Sequence, residues 1–148
     1  MAAQPPTPAQ SAANLARPAN VPVTAWLWPV AAAWLVPGAG HFLLKKTGRG
    51  SLIFISVVAT FFFGLFMRGV MFSPEKGADY LTSLINYGGF AANLAAGALY
   101  LLTTMFGYSQ PDVAGAVHDY GTKFLVTAGL LNVLAMVDTW EIATGRKD

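Results

Sequence analysis

A chain of 148 residues that is 55% hydrophobic and only 11% charged lacks the supply of charge, about a quarter of all residues, with which a water-soluble surface is normally covered. Nine Lys and Arg oppose seven Asp and Glu. The basic residues sit in short clusters between apolar runs rather than along one face interleaved with aromatics, which excludes a nucleic-acid partner. There is no cysteine, so disulfides, thiolate metal sites and cysteine nucleophiles are excluded as well.

Met1 to Asn20 is Ala, Pro, Gln, Ser and Asn with one charge, Arg17, a composition that cannot bury enough apolar surface to fold alone and predicts an extended or disordered tail. Residues 21–148 are then a single helical membrane domain. Its first apolar run, 21–44, carries Trp26, Trp28 and Trp34 and is interrupted by Pro37-Gly38-Ala39-Gly40, where a missing amide donor and permissive backbone should kink the helix. After Lys45-Lys46-Thr47-Gly48-Arg49, residues 51–72 form the cleanest apolar segment, long enough at about 1.5 Å per residue to cross a hydrocarbon core of roughly 30 Å. Arg68 is the one charge inside it.

A polar loop through Pro74, Glu75 and Lys76 leads to a third run, 80–108, longer than one crossing needs. Gly89, Asn93 and Gly97 recur there every four residues, a small-residue ridge that lets helix backbones approach closely in lipid. The last run, 119–142, is bracketed by Lys123 at one end and by Asp138 and Glu141 at the other. The expected architecture is all-α integral membrane, with four transmembrane helices and no strands. Four crossings put the tail, the 73–79 loop and the C-terminus on one face, and the 45–50 and 109–118 loops on the other. The basic flank of the first run then makes the 45–50 loop cytoplasmic.

The stretch Pro37-Gly38-Ala39-Gly40-His41-Phe42 resembles the Pro-Gly-x-Gly-His-Phe turn of small bacterial membrane proteins related to the two-transmembrane-helix domain. The end of the chain, His118-Asp119-Tyr120-Gly121-Thr122-Lys123-Phe124 through Asp138 to Gly145-Arg146-Lys147, is similar to an uncharacterised four-span bacterial family that carries the same turn. The Tyr-Leu-Gly usual after that turn is Leu43-Leu44-Lys45 here. The resemblance implies the four-span topology and a bacterial inner-membrane location, and no activity.

Four crossings place the two histidines, His41 and His118, on one face, where a pair of imidazoles can ligate a haem or chlorin or hold a quinone headgroup. The plainer reading gives His41 to the carbonyls freed around Pro37 and Gly40, and His118 with Asp119 to the start of the last helix. Arg68 is expected to pair with Asp138 or Glu141 on the other face, as an unpaired charge at that depth is costly. Asn86, Asn93 and Asn132 are expected to serve as interhelical hydrogen-bond glue. No phosphate loop, His-Glu-x-x-His or serine elbow is present. The expectation is therefore a non-catalytic protein in membrane lipid with no required cofactor or metal, an accessory subunit packed against other integral membrane subunits. A small cofactor-binding or ion-handling protein is the alternative.

Overall fold

The computed structural model describes residues 21–110 and 115–147, so the expected 1–20 tail lies outside the described residues. Among the described residues there are six helices and no strand. They are α1 (Val23–Leu35), α2 (Ala39–Leu43), α3 (Thr47–Phe66), α4 (Tyr80–Ala95), α5 (Ala98–Met105) and α6 (Ala116–Ala143). Only α3 and α6, of 20 and 28 residues, are long and apolar enough to cross a membrane. The four spanning helices expected are thus corrected to two helices of sufficient length and apolarity among the described residues. The first and third apolar runs are each broken in the middle by a turn at which the chain reverses.

The first reversal is no mere kink. Gly40 lies so close to the Pro29 carbonyl and the Ala33 side chain that a Cβ would overlap them, whereas a continuous helix would separate residues 29 and 40 by about 16 Å. α1 stops at Leu35 because Pro37 has no amide to donate and Gly38 takes a left-handed conformation, φ 79°. α2 then runs back along α1. The second reversal is at Gly97, whose φ of 63° and ψ of −126° lie in a region open essentially to glycine alone. Beyond it α5 returns, bringing Tyr108 close enough for its hydroxyl to donate to the Gly69 carbonyl at 2.9 Å.

α6 is the axis on which the rest is assembled, packing against α1, α3 and α4. The main apolar core forms where Val57 and Phe61 of α3 meet Leu125 and Ala128 of α6 and Ala96 at the second turn. α3 and α6 run antiparallel. Gly50, near the start of α3, lies beside His41, which touches Asp138 near the end of α6, and Gly64 at the other end lies against Gly121 and Leu125. The start of α1, the 44–46 turn and the end of α6 therefore share one end of the bundle, and the 67–79 and 106–110 segments share the other.

Local hydrogen bonds explain why α3 stops and α4 starts where they do. At the end of α3 the Gly69 amide reaches back to the Gly64 carbonyl at 3.0 Å and the Arg68 amide to Leu65 at 2.9 Å, the bond pair of a left-handed helix stop. Arg68 occupies the left-handed position at φ 57°, and Lys45 does the same after α2 at φ 60°. α4 begins at Asp79, whose Oδ1 accepts from the Thr82 amide at 2.6 Å. Hydrogen bonding from Thr82, by its side chain first and its amide second, holds the exposed Asp79 carboxyl below the usual carboxylate range.

Candidate functional site

The two turns meet at mid-height of the bundle. A Cβ at Gly97 would overlap the Trp34 carbonyl oxygen, so the tips touch backbone to backbone. Breaking α1 and α4 frees carbonyls that need donors, and three side-chain bonds supply them. Trp34 Nε1 donates to the Leu94 carbonyl at 3.2 Å, and the fully buried Asn132 Nδ2 donates to Trp34 at 3.1 Å and to Ala95 at 2.9 Å. Asn132 thus ties both hairpins to α6. Its Oδ1 and both amide atoms of Asn93, itself 1% exposed, have no hydrogen-bond partner among the described residues.

Nearer the end that holds the C-terminus lies a buried titratable array. His41, carried by α2, is fully buried. Its Nε2 is 2.8 Å from Asp138 Oδ2, and its Nδ1 is 3.2 Å from Thr139 Oγ1. The Thr139 hydroxyl is also 2.8 Å from the Ala135 carbonyl. Asp138 turns its other oxygen to the Lys147 ammonium, whose nitrogen lies 4.0 Å from Glu141 Oε2. The array therefore runs from the interior to the surface. α2 is held against α6 for it by Gly40, which allows the backbone to sit on Thr139.

The arrangement accepts a proton without orphaning any group. With a neutral imidazole, Nε2–H donates to Asp138 and the Thr139 hydroxyl donates to Nδ1. With an imidazolium, Nδ1–H donates to Thr139 Oγ1 and the hydroxyl turns to the Ala135 carbonyl. Asp138, Glu141 and Lys147 together carry one net negative charge, which a proton on His41 cancels. Lys45 and Lys46 on the adjoining turn, Arg49 at the start of α3, and Arg146, whose guanidinium lies 4.4 Å from the centre of the Trp140 ring, add positive charge at this end.

A family model described as a family of unknown function (DUF6677) matches residues 23–148. The chain belongs to that family. Neither the curated proteins nor the solved structures include a match.

The remaining candidates fall elsewhere in this DUF6677 chain. His118 is at the opposite end from His41, with Nδ1 3.0 Å from the Arg68 carbonyl, so it closes the end of α3. The two histidines cannot share one haem, chlorin or metal, because the first run returns instead of crossing. The expected pairing of Arg68 with Asp138 or Glu141 is likewise corrected. Arg68 Nε donates to Gln110 Oε1 at 3.1 Å, and twenty residues of α6, about 30 Å, separate His118 from Asp138. Gly89 lies under the Phe72 ring, Asn93 is buried and Gly97 closes on Trp34, so that ridge is occupied within the chain. Of the turn residues, Pro37, Gly38 and Gly40 are buried and shape the hairpin that carries His41.

Thr139, Lys147 and Trp34 were not foreseen as partners. One signal for the second hairpin is present in the sequence. Leu35, Gly38, Ala39 and Leu43 recur in the same spacing as Leu94, Gly97, Ala98 and Leu102, with His41 answered by Tyr100.

Proposed function

We propose that this protein is a non-catalytic integral membrane protein that handles protons. It crosses the bilayer twice, with α3 and α6, and dips into it from both sides with its two hairpins. Non-helical backbone at membrane depth is tolerated where it is buried in protein and its polar groups are bonded, which is the situation of both turns. The observation that carries the proton-handling reading is His41, fully buried between Asp138 and Thr139 and linked through Asp138 to Lys147 at the surface. Imidazole is the side chain that ordinarily titrates between pH 5 and 8, and an ionisable group inside a membrane protein is a functional candidate by default. Reconstituted into vesicles that enclose a pH-sensitive dye, the protein should pass protons down an imposed gradient, and His41→Gln should abolish that flux while His118→Gln keeps it. Equal flux in the parent and in His41→Gln would sink the reading.

In the bacterial inner membrane, the end bearing Lys45, Lys46, Arg49, Arg146 and Lys147 would face the cytoplasm, against Arg68, Lys76 and Lys123 at the other end. Single cysteines in this cysteine-free chain test it: Gly48→Cys and Gly145→Cys should label from one side and Ser73→Cys from the other. A split between positions 48 and 145 would restore the crossing count expected from sequence. Kinship with the two-transmembrane-helix domain belongs to the same proposal and rests on the Pro37–Phe42 turn. An accessory role beside other membrane subunits is a second reading, favoured by the lateral aromatic face of α3 at Phe62, Phe63 and Phe66. Stoichiometric co-purification in mild detergent would support it, and isolation of the chain alone would oppose it.

A further inference from the structure

The end of the bundle opposite His41 contains a lateral groove of about 700 Å³, within the range of roughly 300–1,000 Å³ typical of small-molecule sites. It lies where α4 and α6, in contact from Ala92 on Gly129 to Ala95 on Asn132, separate towards the start of α6. At Gly129 the Ala92 carbonyl leaves no room for a Cβ. Towards the start of α6 the gap is floored by residues 70–72. That segment is held to α6 by the Val70 amide, which donates to Thr122 Oγ1 at 2.9 Å, and to α4 by Phe72 seated on Gly89.

Val70, Phe72, Ile85 and Val126 make the groove mainly apolar, and Asp119 and Lys123 add one charge of each sign. These two lie four residues apart on the same face of α6. Asp119 is in the first turn, and Lys123 is about 6 Å deeper along the helix axis. An ammonium outermost, a phosphate about one turn deeper and an acyl chain beyond is the order of groups in a zwitterionic phospholipid seen from water.

On this charge complementarity we propose that the groove binds one phospholipid with a primary-amine headgroup, phosphatidylethanolamine. Lys123 takes the phosphate, Asp119 takes the ammonium, and one acyl chain lies along Phe72, Ile85 and Val126. The primary amine gives N–H donors to the Asp119 carboxylate, which a quaternary choline lacks and a glycerol headgroup does not match in charge. Lys123 Nζ lies 5.2 Å from the centre of the Tyr120 ring, and its flexible stem turns from there to meet the phosphate.

The inference rests on the membrane placement proposed above and not on the titration of His41. The test is native mass spectrometry of the full chain after exchange from vesicles with equal parts of phosphatidylethanolamine, phosphatidylglycerol and phosphatidylcholine. One phosphatidylethanolamine should be retained at least fivefold over either competitor. Lys123→Gln should lose that retention, and Asp119→Asn should erase the preference over phosphatidylglycerol, both with unchanged thermal unfolding. Equal retention of the three lipids, no retention, or unaltered selectivity in both variants overturns the site, as does a stoichiometric protein partner that excludes lipid. Release of the chain from membranes by alkaline wash without detergent would instead remove the membrane placement itself.

Discussion

Replacing Gly97 by alanine distinguishes a hairpin from a crossing by the sign of the effect. If residues 80–108 were one helix, Gly97→Ala would stabilise it by about 0.5–1 kcal/mol through helix propensity. In the hairpin, the φ of 63° and ψ of −126° at Gly97 impose backbone strain of about 1–3 kcal/mol on any other residue. The new methyl also meets the Trp34 carbonyl and forces the two tips apart. That breaks the Trp34–Leu94 bond and both Asn132 Nδ2 bonds, each contributing about 1 kcal/mol. The expected loss is about 4–6 kcal/mol. Unfolding in a detergent titration, followed by tryptophan fluorescence, measures it, with Trp34 at the tip as one of four reporters. Gly88→Ala is the control, because a Cβ there meets nothing, and it should be neutral or slightly stabilising. A Gly97→Ala protein as stable as its parent would refute the reversal.

Asp138→Ala should cost about 1–3 kcal/mol, since it leaves a buried His41 N–H without an acceptor. Lys147→Ala, at an ammonium 48% exposed, should cost no more than about 1 kcal/mol, and equal losses from the two would show the histidine is not the dependent partner. Asn93→Leu removes a buried amide that has no partner among the described residues and should raise the unfolding midpoint; a fall would show that the amide is bonded in the working protein. Because the Asp79 carboxyl is held below its ordinary value, its contribution is present above the unfolded-state pKa and is lost as pH falls through the lower folded-state one. Asp79→Ala should therefore flatten the acid limb of the stability profile, and an unchanged limb would refute that assignment.

The helical class, the apolar runs and the break at Pro37–Gly40 were legible because they depend on local chemistry: hydropathy, a missing amide and a permissive glycine. Whether a broken run goes on or turns back depends on bonds between residues far apart in sequence. Trp34 to Leu94 and Asn132 to both Trp34 and Ala95 have no local signature. A 24-residue and a 29-residue apolar run are each long enough to cross, so length does not separate a crossing from a reversal; the spacing of Leu35 to Leu43 repeated at Leu94 to Leu102 is the signal that can.

Each reversal moves the following segments to the other side, which accounts for the misplaced residues. Counting the first run as a crossing put His41 beside His118 and Arg68 beside Asp138. Counting the third run as another crossing cancelled the error at the C-terminus, so the last helix kept its direction while its partners changed. Composition alone determined that this chain is helical and built from apolar segments. Only the tertiary structure decided that Asp138 faces His41, because that pairing follows from the number of times the chain reverses, and long-range hydrogen bonds to freed carbonyls hold those reversals.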